Sequence, residues 1–109
     1  MYKEMSLIRF SETGDEARVT TLLSIGVDPN CKRQFLQDLP LIGAACCGHK
    51  HAVKLLLHAG ADVNKADHHK YTALVYAAGY GHEDVVKTLL DAGADQTLTC
   101  QRMVEKPYH

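Results

Sequence analysis

The residues that could bind a metal ion or react as nucleophiles are seven histidines and four cysteines, and two adjacent pairs stand out. Cys46 and Cys47 form one pair, and His68 and His69 form the other. Cysteine and histidine are the side chains that bind zinc in tetrahedral sites. Successive residues of a helix point about 100° apart, however, so two adjacent cysteines of a helix cannot both turn towards one ion. We therefore expect no metal site and no cofactor.

The same residues give little support to catalysis. A cysteine nucleophile needs a histidine base and a third group that orients the base, and the sequence shows no such set. It also shows no glycine-rich phosphate loop, no nucleophile elbow, and no pair of carboxylates beyond those of solvated helix faces. We therefore predict that the protein is not an enzyme and that its cysteines are reduced, partly buried thiols.

Composition and charge argue against several further classes. The 109 residues are 46% apolar and carry 12 Lys and Arg against 13 Asp and Glu, without a basic run, so no nucleic-acid partner is expected. Lys3, Glu4 and Arg9 interrupt the apolar start of the chain, which argues against a signal peptide. No segment approaches the roughly 20 apolar residues of a membrane span. We expect one small intracellular domain, cytoplasmic or nuclear, with no membrane partner.

The clearest structural signal is the stretch from Thr72 to Asp95, which predicts two short helices joined by a turn. Thr72 fits the N-cap of a first helix that ends near Tyr80. Gly81 then breaks this helix, and Gly93 fits the left-handed residue that ends a second one. Helices shorter than roughly 12–15 residues are marginal on their own in water. This unit must therefore pack against neighbours.

The chain supplies these neighbours by repeating the pattern. A shift of 33 residues towards the N-terminus reaches a second copy, and a further shift of 34 residues reaches a third. The matched positions are Leu74, Leu41 and Leu7; Gly81, Gly48 and Gly14; Val86, Val53 and Val19; Leu89, Leu56 and Leu22; Gly93, Gly60 and Gly26; and Asp95, Asp62 and Asp28. A period of about 33 residues with a helix–turn–helix core marks an array of repeats.

This pattern resembles the ankyrin repeat, and LPLIGAACCGHKHAVKLLLHAGADVN, from Leu39 to Asn64, is the clearest matching signature. The resemblance implies an all-α fold, an ankyrin-repeat solenoid of stacked helix–turn–helix units with projecting β-hairpin-like finger loops. It also implies structural roles for His49 and His82, which follow turn glycines. It divides the single domain 1–109 at about 1–33 for repeat one, which is cap-like, 34–66 for repeat two, 67–99 for repeat three, and 100–109 for the truncated start of a fourth.

Several positions depart from the family pattern. Phe10 stands where the other repeats have alanine, which suits a first repeat without a neighbour on that side. Leu39 stands at a helix start where the family has a capping threonine, and Lys70 stands where it has a glycine that favours positive φ. Because the pattern breaks off after repeat three, we expect the outer face of that repeat to be uncovered, including parts of Leu74, Val85 and Leu89.

The resemblance also implies where a partner would bind, because ankyrin arrays usually present their fingers and the ends of their first helices. Carried onto this chain, the partner-binding residues are Glu12, Thr13, Arg33, Phe35, Leu36, Asp38, Cys46, Cys47, Ala66, His68, His69, Tyr71, Gly79 and Tyr80. Apolar and aromatic side chains of this kind dominate protein interfaces. Phe35, Leu36 and Tyr71 could instead pack within the stack, which leaves Tyr80 as the best candidate contact.

We therefore predict a non-enzymatic protein–protein interaction module, of the scaffold, adaptor or inhibitor type. It would bind a protein or peptide partner through its concave surface of fingers and helix ends. The alternative is a structural or regulatory fragment that self-associates through the uncapped C-terminal repeat, so we expect a monomer or weak self-association. A third possibility, implied only by the resemblance, is hydroxylation of Asn64.

Overall fold

The computed structural model describes residues 2–31, 39–67 and 69–95, and the side chains among them from residue 6 onward. Over these residues the chain forms six helices in three pairs. Helices α1, α3 and α5 pack side by side in one layer, and α2, α4 and α6 pack in a second. Their bounds are Tyr2–Thr13 for α1, Glu16–Ser24 for α2, Pro40–Cys46 for α3, Lys50–His58 for α4, Ala73–Gly79 for α5 and Glu83–Asp91 for α6.

The start of each first helix follows its local sequence. The Thr72 hydroxyl accepts a hydrogen bond from the Val75 backbone N–H at 3.4 Å, which confirms the predicted cap of α5. Leu39 makes no such bond at the start of α3, also as predicted. Pro40 follows it in the first turn of α3, where its missing N–H leaves no donor without a partner.

The first helix begins earlier than we predicted. We expected a helix from about Ser6 to Thr13, whereas α1 begins at Tyr2 and ends at Thr13. Serine is a common N-cap, but the residues before Ser6 include no glycine or proline that would stop a helix. The second helix agrees better, because the sequence predicts it from about Asp15 to Ile25 and α2 is one residue shorter at each end.

The apolar core lies between the two helix layers and between successive pairs. Burying one Val, Leu or Ile side chain contributes about 1.5–3 kcal/mol relative to leaving it in water. This burial makes helices of only seven or nine residues, such as α3 and α4, stable. The buried residues include Leu7, Ile8, Val19, Leu41, Ile42, Ala44, Ala45, Val53, Leu56, Ala73, Leu74, Ala77, Val85 and Leu89.

Leu74, Val85 and Leu89 belong to this core, so our expectation that they lie on the uncovered face of repeat three is wrong. These residues are 3%, 1% and 0% exposed. The apolar residues on that face include Ala78, Val86 and Leu90, all half-buried. The side chains of neighbouring helix residues point about 100° apart. Val85 therefore points into the core while Val86 points to the outer face, and the prediction chose the wrong one of the two.

Two asparagines connect successive repeats through their side-chain amides. The Asn30 Oδ1 accepts a hydrogen bond from the Asp62 backbone N–H at 2.7 Å, and the Asn30 Nδ2 donates to the Gly60 carbonyl at 3.2 Å. One period later, the Asn64 Oδ1 accepts from the Asp95 backbone N–H at 2.7 Å. Each asparagine therefore holds the loop that follows the next helix pair. From the sequence we had considered Asn64 only as a modification site.

Finger two, residues 61–71, contains a tight turn. The Asp67 N–H donates to the Tyr71 carbonyl at 3.0 Å, and the Lys70 N–H donates to the Asp67 carbonyl at 2.9 Å. Lys70 has a φ of +67°, which confirms the positive φ predicted at this position. The described residues form no strand, so the hairpin-like character of finger two is limited to this turn. Most of finger one, residues 32–38, lies outside the described part of the chain.

Replacing Asn30 by alanine should lower the free energy of unfolding by about 1–3 kcal/mol, because two hydrogen bonds between adjacent repeats are lost. Asn64→Ala should also destabilise, by about 1 kcal/mol, through loss of the bond to Asp95. Thr20→Ala, at an exposed position of α2, is the control and should change stability by no more than about 0.5 kcal/mol. Urea unfolding measures all three. An unchanged midpoint for Asn30→Ala would show that these amides do not hold the repeats together.

Candidate protein-interaction surface

The first helices of the three pairs end in a row, because α1, α3 and α5 pack side by side. Two consecutive positions at each helix end contribute to this row. The structure therefore brings together six of the predicted partner-binding residues: Glu12 and Thr13 at the end of α1, Cys46 and Cys47 at the end of α3, and Gly79 and Tyr80 at the end of α5. We call this set the helix-end row.

The centre of the helix-end row carries small side chains. A Cβ atom added at Gly43, within α3, would lie 2.7 Å from the Glu12 Cγ, so the Glu12 side chain occupies the space beside the Gly43 backbone. Cys46 is half-buried and Cys47 is exposed. The row therefore changes along the stack from the Glu12 carboxylate at α1, through small side chains at α3, to the Tyr80 ring at α5.

Asp67 fixes the shape of finger two with both of its carboxylate oxygens. The Oδ1 accepts hydrogen bonds from the backbone N–H of His69 at 2.9 Å and of Tyr71 at 3.2 Å. The Oδ2 accepts from the Tyr76 hydroxyl at 2.5 Å. Hydrogen bonds to a charged acceptor are the stronger ones. Because Tyr76 lies in α5, this last bond ties the finger to the helix layer.

Aromatic rings continue from finger two onto α5. Tyr71 and Tyr76 meet edge to face, with ring centroids 5.5 Å apart and planes at 83°, an arrangement that aromatic pairs favour. The His69 ring lies 6.2 Å from the Tyr71 ring. Sequence reasoning missed Tyr76. Its four-residue spacing from Tyr80, which places both on one face of the helix, was the signal that could have found it.

Burial raises the pKa of Tyr76 well above the usual tyrosine value, and the hydrogen bond to the Asp67 carboxylate raises it further. Tyr76 is therefore a neutral donor throughout the physiological pH range. Asp67 meets a hydroxyl proton there, not a second negative charge. Loss of the Tyr76 proton therefore does not break this link near neutral pH.

Tyr80 is a large side chain of this surface that is open to solvent, at 65% exposure. Its backbone N–H donates to the Tyr76 carbonyl at 3.0 Å, and Gly81 follows it with a φ of +77° that turns the chain towards α6. The Tyr80 ring lies 6.2 Å from the ring of His82. A tyrosine side chain loses little conformational entropy when it is held. Tyr80 is therefore an exposed aromatic group on a fixed backbone.

The remaining predicted partner-binding residues are divided between finger two and segments that the structure does not describe. Ala66 and Tyr71 are half-buried in finger two, and His69 is exposed there. Tyr71 packs against Tyr76, which is the alternative that the sequence left open for it. Those outside the described residues are Arg33, Phe35, Leu36, Asp38 and His68.

His49 and His82 rest on the turn glycines of the preceding repeats. The His82 Nε2 lies 2.9 Å from the Cys46 carbonyl oxygen. A Cβ atom added at Gly48 would come within 2.8 Å of the His82 Nδ1, and one added at Gly14 within 2.5 Å of the His49 Nδ1. These contacts confirm the structural roles that the resemblance implied for the two histidines.

The zinc ligands considered from the sequence include His68, which lies outside the described residues. Within residues 2–31, 39–67 and 69–95, no three His, Cys, Asp or Glu side chains are grouped so that they could hold a metal ion. None of the helices found in these ranges combines the length and the apolar character that crossing a membrane requires.

Short helix pairs stacked in two layers, each pair packed only on its neighbours, define a helical repeat protein. Comparison with protein families identifies the repeat, because residues 7–100 match the model for ankyrin repeats in three copies. This match covers most of the 109 residues, and the chain belongs to the ankyrin repeat family. The predicted all-α ankyrin solenoid is thereby confirmed.

A curated relative is an ankyrin repeat-containing protein of Saccharomyces cerevisiae. It is 47% identical over 49 residues, which is 45% of this chain and 9% of the yeast protein. The match therefore spans about a tenth of that relative's length. Ankyrin repeats are generally protein–protein interaction modules, and the family is typically non-enzymatic.

Replacing Tyr76 by phenylalanine should loosen finger two, because Asp67 loses a hydrogen-bond donor while the aromatic ring stays. We expect the free energy of unfolding to fall by about 1–2 kcal/mol, and the His69 and Tyr71 amides to exchange their protons faster. Tyr80→Phe removes a hydroxyl from the exposed tyrosine that follows the same helix and is the matched control. Unchanged exchange in Tyr76→Phe would show that the hydroxyl does not hold the finger.

Alkaline pH should reduce the stability advantage of the wild type over Tyr76→Phe. An unfolded tyrosine loses its proton near pH 10, whereas folded Tyr76 keeps its proton because its pKa is raised. The stability that depends on this proton is present below about pH 10 and is lost as the pH rises further. Urea midpoints measured from about pH 8 to pH 11 should therefore converge for the two proteins. A constant difference over this range would contradict the expectation.

Proposed function

We propose that this chain is a protein–protein interaction module of the scaffold, adaptor or inhibitor type, without enzymatic activity of its own. It would bind a protein or peptide segment along the helix-end row and finger two. The observation that carries the proposal is Tyr80, an aromatic side chain that is 65% exposed at the end of the row. Large exposed aromatic groups held on rigid elements supply much of the binding energy of protein interfaces.

The mechanism we propose is rigid display. Asp67 closes finger two and also receives the Tyr76 hydroxyl, so finger and helix are joined before a partner arrives. Each flexible side chain that must be ordered on binding costs roughly 0.5–1.5 kcal/mol. A surface that is already ordered avoids most of this cost. This favours binding without a large rearrangement of the repeats.

The chemistry of the row favours a partner segment with an apolar side chain. Such a side chain would pack on the Tyr80 ring. Partner residues with small side chains would lie over Gly43 and Cys47. The proposed partner-binding set remains the one predicted from the sequence, including Arg33, Phe35, Leu36, Asp38 and His68. We also propose the repeat boundaries at about 33, 66 and 99, an intracellular location and a monomeric or weakly self-associating state.

Peptides selected from a phage-displayed random library against the immobilised full chain provide probes for this surface. Replacing Tyr80 by alanine should weaken their binding at least about tenfold, which corresponds to 1.4 kcal/mol, while the urea midpoint stays nearly unchanged. Fluorescence polarisation with labelled peptides gives the dissociation constants. A large fall in the urea midpoint would show that Tyr80 supports the fold.

Ile25→Ala provides the matched control for this experiment. Ile25 is 57% exposed at the end of α2 and is outside the proposed partner-binding set. Its replacement should leave peptide affinity unchanged. Selected peptides that bind Tyr80→Ala as tightly as the wild type, or that lose affinity in Ile25→Ala, would contradict the proposed site.

A further inference from the structure

Lys70 holds a backbone conformation that suits glycine better than lysine. Its φ is +67°, and among the described residues no other residue besides glycine has a positive φ. In this left-handed conformation a Cβ atom comes too close to a backbone carbonyl oxygen, which costs free energy. Turns that need a left-handed residue therefore usually have glycine there. Lysine at this position introduces local strain that a glycine would avoid.

The turn of finger two uses the backbone of Lys70. The Lys70 N–H donates to the Asp67 carbonyl at 2.9 Å, and a glycine would supply the same donor. The Lys70 side chain is exposed, so it lies outside the apolar core. Strained residues cluster at sites that bind ligands. A residue that breaks a local rule in an exposed turn therefore points to a role in binding.

The turn presents a positive charge to solvent. The charged residues of finger two are Asp62, Lys65, Asp67 and Lys70. The Asp67 carboxylate is half-buried, and both of its oxygens accept hydrogen bonds from the finger and from α5, so its charge is directed inward. Asp62 lies at the start of the finger, where its Oδ1 accepts from the Asn64 N–H at 3.0 Å. At the turn itself, the exposed Lys70 side chain favours an anionic group.

Lys70 also lies next to the aromatic part of the proposed binding surface. It directly precedes Tyr71, whose ring packs on that of Tyr76 with centroids 5.5 Å apart. Tyr80 follows Tyr76 by four residues, which is about one helical turn. An extended chain advances about 3.3 Å per residue. One partner segment of several residues could therefore contact both the Lys70 ammonium group and the Tyr80 ring.

We propose that Lys70 determines the specificity of this surface by pairing with a carboxylate of the partner. The occupant is a segment of a partner protein that carries an aspartate or glutamate opposite Lys70 and an apolar side chain against Tyr80. Complementary charges of this kind select partners and speed their encounter. The inference rests on the proposed function and deepens it, since Lys70 lies outside the partner-binding set predicted from the sequence.

Peptides selected from the phage-displayed random library against the full chain provide the first test. We expect Asp and Glu to be enriched above their frequency in the library, within a few residues of an apolar residue. Changing the peptide's acidic residue to its amide should weaken binding to the wild type about threefold, within the range of exposed ion pairs. The same change should have no effect on binding to Lys70→Gln. Absence of the enrichment, or equal effects on both proteins, would overturn the proposal.

Lys70→Gln itself keeps a left-handed residue with a long side chain and removes only the charge. It should bind the selected peptides about threefold more weakly at 0.05 M NaCl, and this difference should shrink at 0.5 M NaCl because salt screens exposed charges. Lys87→Gln removes an exposed charge of α6 and is the matched control, with unchanged affinity expected. Equal losses in the two variants would show a general charge effect and would overturn the proposal.

Lys70→Gly separates binding from folding. Because glycine adopts positive φ without a steric cost, the urea midpoint should be no lower than that of the wild type, while peptide affinity should fall as in Lys70→Gln. A lower midpoint would show that the lysine side chain supports the finger and would overturn the proposal. If Tyr80→Ala weakens binding and the Lys70 variants do not, this inference fails while the proposed function stands. If none of these variants weakens binding, both fail.

Discussion

The packing of each helix pair on the next is the interaction on which the rest of this structure depends. Helices α3 and α5 have seven residues and α4 and α6 have nine, which is below the length at which a helix is stable alone in water. Stability must come from neighbours, and close approach requires small residues where the layers meet. Ala44, Ala45 and Ala77 are fully buried for this reason. The turn glycines Gly14 and Gly48 have a related role, because the following repeat places an imidazole where a side chain would stand.

Display of side chains follows from this packing. The loops after α2, α4 and α6 are held in register by Asn30 and Asn64, which bind backbone groups of the next loop. Finger two is held by Asp67, which joins its own turn to Tyr76 of α5. A partner at the proposed surface would therefore meet side chains whose backbone positions are already determined by the stack. The proposed surface could change in sequence without disturbing the core, since its residues lie at helix ends and in the finger.

Local signals in the sequence predicted the parts of the structure that depend on local physics. Thr72 as a cap follows from its own residue type and position. The positive φ of Lys70 was implied by the family resemblance, because the family has a glycine at this position. The residue predicted on the outer face of α6 was wrong by one position, because periodicity alone does not show which residue of the apolar pair Val85 and Val86 points into the core. The bond between Asp67 and Tyr76 was missed because it joins a loop to a helix nine residues away. The contacts of Asn30 and Asn64 with the next repeat likewise depend on how the repeats pack, which residue spacing alone does not predict.

The packing of one repeat on the next and the helix-end row meet at the turn between a first and a second helix. In repeat two this turn is covered by repeat three, and the His82 ring lies against the carbonyl oxygen of Cys46, a residue of the row. The Tyr80 ring, which is the exposed aromatic group of the row, lies 6.2 Å from the same His82 ring. His82 therefore contacts both the preceding repeat and the side chain that we propose as the main partner contact, so a change at this histidine would affect the stacking of the repeats and the position of Tyr80 together.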